Sequence, residues 1–269
     1  ELMKKAMRRA KELGLPILDH AEDDHYSLGR PIHAGKTAQK FGILGQDPRA
    51  EWEHVKRGCE YALETGCHYH VLHISTKESL EVIKAFKAQG APVSCEVSPH
   101  HVLLSDEDIP EKNGELDANF KMNPPLRSPC DREACEKALL DGTVDMIATD
   151  HSPHTQEEKS RGILDAPFGI VGIETSFSLM YTHFVKTGKL PFKRLVDLMT
   201  VFPAKLFGLP FGVLRPGAFA DFTLIDLDQE YEVDSQEFFS KGKNTPFQGR
   251  KVYGRVMRTF LAGKQTFSV

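Results

Sequence analysis

The chain has 269 residues, of which 40% are hydrophobic and 27% are charged, and its formal net charge is −4. These values are typical of a globular protein. They exclude the strongly basic composition that marks proteins binding nucleic acids or anionic membrane surfaces. No apolar run approaches the ~20 residues that a membrane-spanning helix needs. The 5 cysteines form no CxxC pair, which argues against a disulfide framework or a structural zinc site and favours a reducing cytoplasm.

The first predicted element is a helix that starts with the chain itself. Apolar residues recur at helical spacing from Leu2 to Leu13, and Gly14 follows as a stop signal. Since the sequence begins with Glu1 inside this pattern, we expect it to be a piece of a longer protein.

Short apolar runs then alternate with amphipathic segments. Helices are predicted over residues 48–65, 77–89 and 131–140, and a glycine follows each of them closely. The apolar runs predict buried strands, and they read LPILDH, CHYHVLHIS, PVSCEV and VDMIATD. This alternation predicts a parallel α/β fold.

The number of units indicates which α/β fold is present. A (β/α)₈ barrel has eight strands and about 250 residues, but only four units precede a change to short alternating β segments. We therefore predict the second half of such a barrel over residues 1–210, with four strands upstream of Glu1. Residues 211–269 are predicted to form the C-terminal strands of a small β domain.

Three polar side chains lie at the ends of predicted strands: His20, His73 and Asp150. The carboxyl ends of parallel strands form the rim on which barrel active sites are built. Imidazole is a common transition-metal ligand, and a carboxylate beside a metal-activated water can shuttle protons. The three together predict a metal site, with Asp150 also catalytic. An N-cap aspartate followed by loop histidines is the alternative for the Asp150 segment.

Several neighbouring polar residues are interpreted as mainly structural. We expect the four acidic residues around His20 to cap and solvate their loop, although one could orient the His20 ring. His68 and His70 are predicted to pack against helices or solvent. In the His100–His101 pair, His100 is the better candidate for a contact with the site. The four acidic residues are Asp19, Glu22, Asp23 and Asp24.

Two loops are candidates for recognition of a small ligand. Asn123 lies in a segment stiffened by two prolines, which suits an amide that binds a polar ligand, and a capping role is the alternative. Phe168 and Gly169 could offer backbone groups, because glycine allows close approach. A plain turn is the alternative there.

The sequence resembles the long-chain bacterial dihydroorotases of the amidohydrolase superfamily over essentially its whole length. The most specific segments are ATDHSPH and APFGIVG, and the others are LDHAEDD, HYHVLHISTKES, EVSPHHVLLSDEDI, FKMNPPLRSPCDRE and NTPFQGRKVYGRV. The resemblance implies a (β/α)₈ metal-dependent hydrolase with a small composite β domain. It also implies reversible hydrolysis of L-dihydroorotate to N-carbamoyl-L-aspartate in pyrimidine biosynthesis, with one or two Zn²⁺ ions per site.

The resemblance also implies roles for individual residues. His20 and His73 would hold one zinc, and Asp150 would bind at the other metal position and act as general acid and base. The substrate would be contacted by Asn123, His154 and the backbone of Phe168 and Gly169.

One departure from the family is large. Its HxH ligand pair with the following Arg, a substrate-binding Asn and its bridging metal ligand belong to its first four strands, and this chain has no convincing counterpart of them. We therefore expect the chain alone to be catalytically inactive.

Two alternative functions stay open. The parent could be another cyclic amidohydrolase, a hydantoinase or an allantoinase, since substrate choice depends on groups outside this sequence. It could instead be a non-catalytic dihydroorotase-like subunit that supports aspartate transcarbamoylase, although retention of His20, His73 and Asp150 favours an enzyme. A homodimer or a complex with aspartate transcarbamoylase are the assemblies that the resemblance allows, and no nucleic-acid or membrane partner is expected.

Overall fold

A computed structural model describes all 269 residues. They form two compact units, one of residues 1–171 with 240–246 and the other of residues 172–239 with 247–269. None of the helices combines the length and the apolar composition that crossing a bilayer would take. The boundary predicted between residues 210 and 211 is a different one, because it separates the barrel segment from the C-terminal strands. That boundary stays a prediction.

The first unit alternates strands and helices. Its helices are α1 Leu2–Glu12, α2 Asp24–Ser27, α3 Lys36–Lys40, α4 Arg49–Thr65, α5 Lys77–Ala88, α6 Pro99–Leu103, α7 Pro129–Asp141, α8 Gln156–Lys159 and α9 Gly162–Asp165. Its strands are β1 Ile17–Asp19, β2 Tyr69–Val71, β3 Val93–Val97, β4 Glu111–Lys112, β5 Glu115–Leu116 and β6 Met146–Ile147. Two 3₁₀ turns cover Asp106–Asp108 and Ala118–Phe120.

The central sheet of this unit is parallel, as predicted. Its order is β1-β2-β3-β6, so strands that follow one another along the chain with a helix between them lie side by side. Leu18, His70 and Ser94 lie at one level of the register and share one face of the sheet. The opposite face packs on helices, where the Tyr69 ring meets α4 at Gly58.

Local sequence signals fix the helix ends. Helix α5 begins where the Thr76 side chain accepts a hydrogen bond from the Ser79 amide. Helix α7 begins with a capping box in which Ser128 and Asp131 bond each other's backbone. Helix α4 ends at Gly66, which adopts the left-handed conformation that glycine tolerates best.

A hydrophobic core lies beside the loops that carry the candidate site. Met122 and Leu126 bracket the Asn123 loop, and Ile170 follows Gly169. Burying each such side chain contributes roughly 1.5–3 kcal/mol. The other members of this core are Ile32, Ala38, Ile109, Leu116 and Ile163. The loops are therefore anchored by apolar side chains on both sides of the polar ones.

The second unit combines helices with an antiparallel sheet. Its helices are α10 Ser176–Met180, continued by a π-helical turn over Tyr181–Val185, α11 Phe192–Met199 and α12 Val201–Leu206, and a 3₁₀ turn covers Ser235–Glu237. The sheet has the order β7-β8-β9, with β7 Phe222–Glu232, β8 Lys251–Leu261 and β9 Lys264–Ser268. The antiparallel C-terminal strands that the sequence predicted are thus confirmed.

Helix α10 lies close to strand β8 within the second unit. The Ser178 hydroxyl donates to the Gly254 carbonyl at 2.8 Å. A Cβ atom at Gly254 would lie 2.9 Å from Cε1 of Phe177, so a glycine is needed at this contact.

Candidate active site

The three predicted metal ligands follow three strands of the parallel sheet. His20 comes directly after β1, His73 two residues after β2, and Asp150 three residues after β6. Backbone bonds extend the ladder past the strands, since the Ile74 amide donates to Glu96 O at 2.9 Å and the Ala148 amide to Val97 O at 3.1 Å. The three side chains therefore belong to one edge of the sheet.

Two of these residues have an unusual backbone. His73 has a φ of 31° and Asp150 a φ of 48°, in the left-handed region that side chains other than glycine rarely adopt. Such conformations cost on the order of 1–3 kcal/mol and cluster at functional sites, where the surrounding structure holds them. The strain points to these two strand ends as the functional part of the sheet.

The side chains of His20 and His73 meet through their ring nitrogens. Nδ1 of His20 lies 2.9 Å from Nε2 of His73. The other nitrogen of His20, Nε2, lies 3.0 Å from Oε2 of Glu22. Because a carboxylate can only accept, Nε2 of His20 carries the proton and Nδ1 presents its lone pair towards His73. Of the four acidic residues around His20, Glu22 is thus the one that contacts its ring.

Glu22 is in turn held by two amides. Asn123 Nδ2 donates to Glu22 Oε2 at 2.7 Å and lies 3.2 Å from Nε2 of His20. Gln46 Nε2 lies 3.1 Å from Glu22 Oε1 and 3.3 Å from the Asn123 side-chain oxygen. Asn123 therefore contacts both Glu22 and His20, and its role in binding a ligand stays a prediction. Gln46 was not singled out by sequence reasoning, because it lies in a polar stretch without any pattern.

Protonation equilibria in the site follow from burial and from these contacts. The hydrogen bond with Glu22 raises the pKa of His20, and the same bond lowers the pKa of Glu22 to about 2. Burial lowers the pKa of His73. Burial also raises the pKa of Asp150, against the opposing pull of His73 and His20.

Asp150 faces the site without a hydrogen-bond partner of its own. Its Oδ2 lies 3.8 Å from Nε2 of His100. This nitrogen is buried and has no hydrogen-bond partner. Nδ1 of His73 is also buried without a partner. His100 is thus the member of the His100–His101 pair that approaches the site, whereas His101 bonds the Pro124 carbonyl at 3.0 Å.

The chemistry of these donors fits a metal ion in part. Two imidazole nitrogens bound to one tetrahedral zinc lie about 3.3 Å apart, and those of His20 and His73 are 2.9 Å apart with a lone pair directed between them. No three His, Cys, Asp or Glu side chains are already arranged as a closed ligand set. The chain therefore contributes a pair of histidines whose ring nitrogens converge, and the charge of Asp150 interacts with both rings.

The remaining predicted residues lie on the loop after Asp150. Nε2 of His154 donates to the Phe168 carbonyl at 2.8 Å, and the Gly169 amide donates to Lys121 O at 3.0 Å. Asn244 accepts from the His154 amide and donates to the Gly169 carbonyl, both at 2.9 Å. These three predicted residues thus form one hydrogen-bonded cluster.

Gly169 is required where it lies. Its φ is 128°, and a Cβ atom there would lie 2.5 Å from Cβ and Oγ of Ser152. The sequence predicted that glycine would let a ligand approach the backbone here. In the structure, the group that lies close to Gly169 is Ser152 of the protein itself.

Three further polar residues bond to the strands or to the loops that follow them: His68, His70 and Glu51. His68 and His70 both bond the Ser94 hydroxyl at 2.7 Å, and His70 also contacts Glu96 at 3.1 Å. Glu51 is buried and accepts hydrogen bonds from the backbone and hydroxyls at the end of β2, on residues Ser75 and Thr76. The signal for Glu51 was available, since it shares an otherwise apolar helix face with Val55.

A known protein family matches almost the whole chain. Residues 1–266 match the model of the amidohydrolase family. This chain belongs to the amidohydrolase family. Its fold is accordingly the predicted α/β type, with the parallel (β/α) units of a barrel followed by antiparallel C-terminal strands.

Individual relatives and structures agree with this assignment. The dihydroorotase of Geobacillus sp. (strain WCH70) is 52% identical, over 98% of this chain and 61% of the relative. That of Bacillus subtilis (strain 168) is 50% identical, over 99% and 61%. The D-hydantoinase structure from Thermus sp. has a TM-score of 0.86 at 27% identity, over 99% of this chain and 60% of that one. The L-hydantoinase from Arthrobacter aurescens has a TM-score of 0.85 at 28% identity, over 99% and 60%.

The match covers only part of the length of these relatives. The chain spans about 60% of the length of the curated relatives it matches.

Proposed function

We infer that this chain supplies part of the active site of a zinc-dependent dihydroorotase, which interconverts L-dihydroorotate and N-carbamoyl-L-aspartate. The observation that carries the proposal is the convergence of His20 and His73 at 2.9 Å beside the unbonded carboxylate of Asp150. Identity to proteins named dihydroorotase, at 50–53%, favours this substrate over hydantoins, since the hydantoinase structures are 22–28% identical.

Asp150 would bind at the other metal position, and His20 and His73 would hold one zinc. When bound, it would polarise the scissile amide carbonyl and lower the pKa of water. Glu22 fixes the His20 ring with Nδ1 directed at the shared position. This matters because a ligand held in the correct tautomer loses less entropy on binding.

Asp150 is the proton carrier of the proposal. Its carboxylate accepts no hydrogen bond from the protein, and burial raises its pKa, so a proton taken from water is held more firmly than by an exposed aspartate. The same proton can then be returned to the amide nitrogen as the ring opens. Within this chain, Asp150 is therefore both general base and general acid.

The loop residues are proposed to bind the substrate. The Gly169 amide is already committed to Lys121 O, whereas the carbonyls of Phe168 and Gly169 each have a second lone pair. These carbonyls would suit the N–H groups of a cyclic imide or ureide. Asn123 and His154 would complete the set of polar contacts, and a dimer or a complex with aspartate transcarbamoylase stays a prediction.

The decisive experiment assays the full-length protein that contains this chain on dihydroorotate, hydantoin and allantoin. We expect turnover of dihydroorotate above all, and no turnover by the 269-residue chain alone. Asp150→Asn should lower kcat at least ~100-fold, because it removes the proton carrier. Asp24→Asn, at an exposed aspartate that begins helix α2 of the same unit, is the matched control. Preferred turnover of hydantoin or allantoin would overturn the substrate assignment, and unchanged kcat in Asp150→Asn would overturn the mechanism.

A further inference from the structure

Two buried lysines contact residues 164–169, the end of helix α9 and the turn after it, which we call the 164–169 loop. Lys121 is 3% exposed and Lys159 is 6% exposed. Neither ammonium group has an ion pair with a carboxylate. Burial of a charged group without a charged partner is costly unless hydrogen bonds replace its hydration. The contacts of these two groups should therefore show what they stabilise.

Lys159 binds the 164–169 loop through two carbonyls. Its Nζ donates to Pro167 O at 2.9 Å and to Lys121 O at 3.0 Å. Burial, followed by the charge of Lys121, lowers the pKa of Lys159 to about 8. Because the two carbonyls come from different segments, this one side chain fixes the loop against the segment that precedes Asn123.

Lys121 binds the same loop from its other end. Its Nζ donates to Leu164 O at 2.8 Å and lies 4.7 Å from the centroid of the Phe168 ring. Its own carbonyl accepts from the Gly169 amide at 3.0 Å. Together the two lysines hold the loop at three consecutive positions, Pro167 to Gly169, and at Leu164.

The 164–169 loop in turn holds His154. The Phe168 carbonyl can only accept, so its 2.8 Å contact places the proton of the neutral His154 ring on Nε2. The other ring nitrogen, Nδ1, lies 3.6 Å from Glu158 Oε2. The backbone of His154 is fixed separately, by the Asn244 side chain. Loss of the loop conformation would therefore release the ring and leave the backbone in place.

We propose that Lys121 and Lys159 are positioning residues that hold the 164–169 loop so that the Phe168 carbonyl fixes the tautomer and orientation of the His154 ring. Its relevance to catalysis rests on the proposed function, in which His154 contacts the substrate. Lysine suits this role because its three donors can reach carbonyls from separate segments, which a neutral amide with two donors does less well.

The test reads the His154 ring directly, by long-range ¹H–¹⁵N NMR of the histidine rings in the ¹⁵N-labelled 269-residue chain. His154→Gln assigns the signals. In Lys159→Gln we expect the two ring nitrogens of His154 to shift towards each other, because the Nδ1–H tautomer gains population once Phe168 O moves. Lys137→Gln, at an exposed lysine of α7, should leave both signals unchanged.

A second variant guards against misfolding. Lys121→Gln removes the bond to Leu164 O and the contact with the Phe168 ring but keeps the Lys121 carbonyl, and it should give a smaller shift in the same direction. Backbone amide spectra confirm that each variant is folded. Unshifted His154 signals in a folded Lys159→Gln or Lys121→Gln protein would overturn the proposal. Turnover is not measured, so the outcome is independent of whether dihydroorotate is the substrate.

Discussion

Glu22 illustrates how a single side chain prepares a candidate metal site. Its carboxylate accepts from Nε2 of His20 and from Asn123, and its pKa is lowered to about 2, so it remains ionised throughout the physiological range. Loss of such a supporting carboxylate typically weakens metal binding 10–100-fold. We therefore expect Glu22→Ala to reduce the zinc affinity of the chain by roughly that factor.

Zinc affinity would be measured by competition with a chromogenic chelator at fixed pH. Asp24→Ala is the matched control, since Asp24 lies two residues after Glu22, at the start of helix α2, and is exposed. If Glu22→Ala bound zinc as tightly as Asp24→Ala, Glu22 would have no part in orienting His20.

Single residues were predictable where a pattern placed them at the end of an element. His20, His73 and Asp150 could be found because each follows an apolar strand. Gln46 and Lys159 could not, because their partners are far away along the chain or are backbone carbonyls, which every residue possesses. The sequence of a loop does not show which distant side chain or backbone carbonyl a polar side chain will contact.

Among the elements, the loop around Gly169 gives the sharpest prediction. Alanine at this position would combine a φ of 128° with a contact of 2.5 Å to Ser152. We expect Gly169→Ala to lower the free energy of unfolding by about 2–4 kcal/mol, measured by urea denaturation.

The matched control separates backbone strain from steric conflict. Gly114 has a φ of 86° and open space where a Cβ atom would lie, so Gly114→Ala should cost only about 1–2 kcal/mol. Equal losses for the two variants would show that Ser152 moves aside freely and that the close approach is unimportant.

Long elements were predicted well and short ones poorly. Helices α4, α5 and α7 lie within two residues of their predicted bounds, because apolar periodicity and glycine stops identify them. Helices α2 and α3 have only 4 and 5 residues, too few to show a period. The strand predicted as VDMIATD covers only Met146–Ile147, with backbone bonds reaching as far as Ala148, since the chain leaves the ladder on its way to the strained Asp150.

At the scale of the whole molecule, the composition of the first unit was not predictable from local patterns. Residues 240–246 return to it from far along the chain. Asn244 is the reason, because its side chain bonds the Gly169 carbonyl and its own carbonyl accepts from the Val171 amide at 2.9 Å. Such long-range closure leaves no periodic trace in the sequence.

Acid stability is the property of the whole chain that buried histidines should control. His33 is 7% exposed, and burial, followed by the charge of Arg127, lowers its pKa to about 4 from 6.5. Between these values the unfolded chain binds a proton that the folded chain does not, so folding stability rises with pH there and is lost as the pH falls from 6.5 towards 4. This single group would remove about 3 kcal/mol of the free energy of unfolding by pH 4.

Replacing His33 should therefore flatten the acid limb of the stability curve. We expect His33→Gln to lose about 3 kcal/mol less than the unmodified chain between pH 7 and pH 4, measured by urea denaturation at half-unit pH steps. His25→Gln, at an exposed histidine, should keep the unmodified slope. His101, with a pKa lowered to about 3 mainly by burial, is present in all three proteins, so its titration cancels from the comparison. Parallel stability curves for His33→Gln and the unmodified chain would mean that the folded protein accommodates the charged ring, through rearrangement around His33 or entry of water.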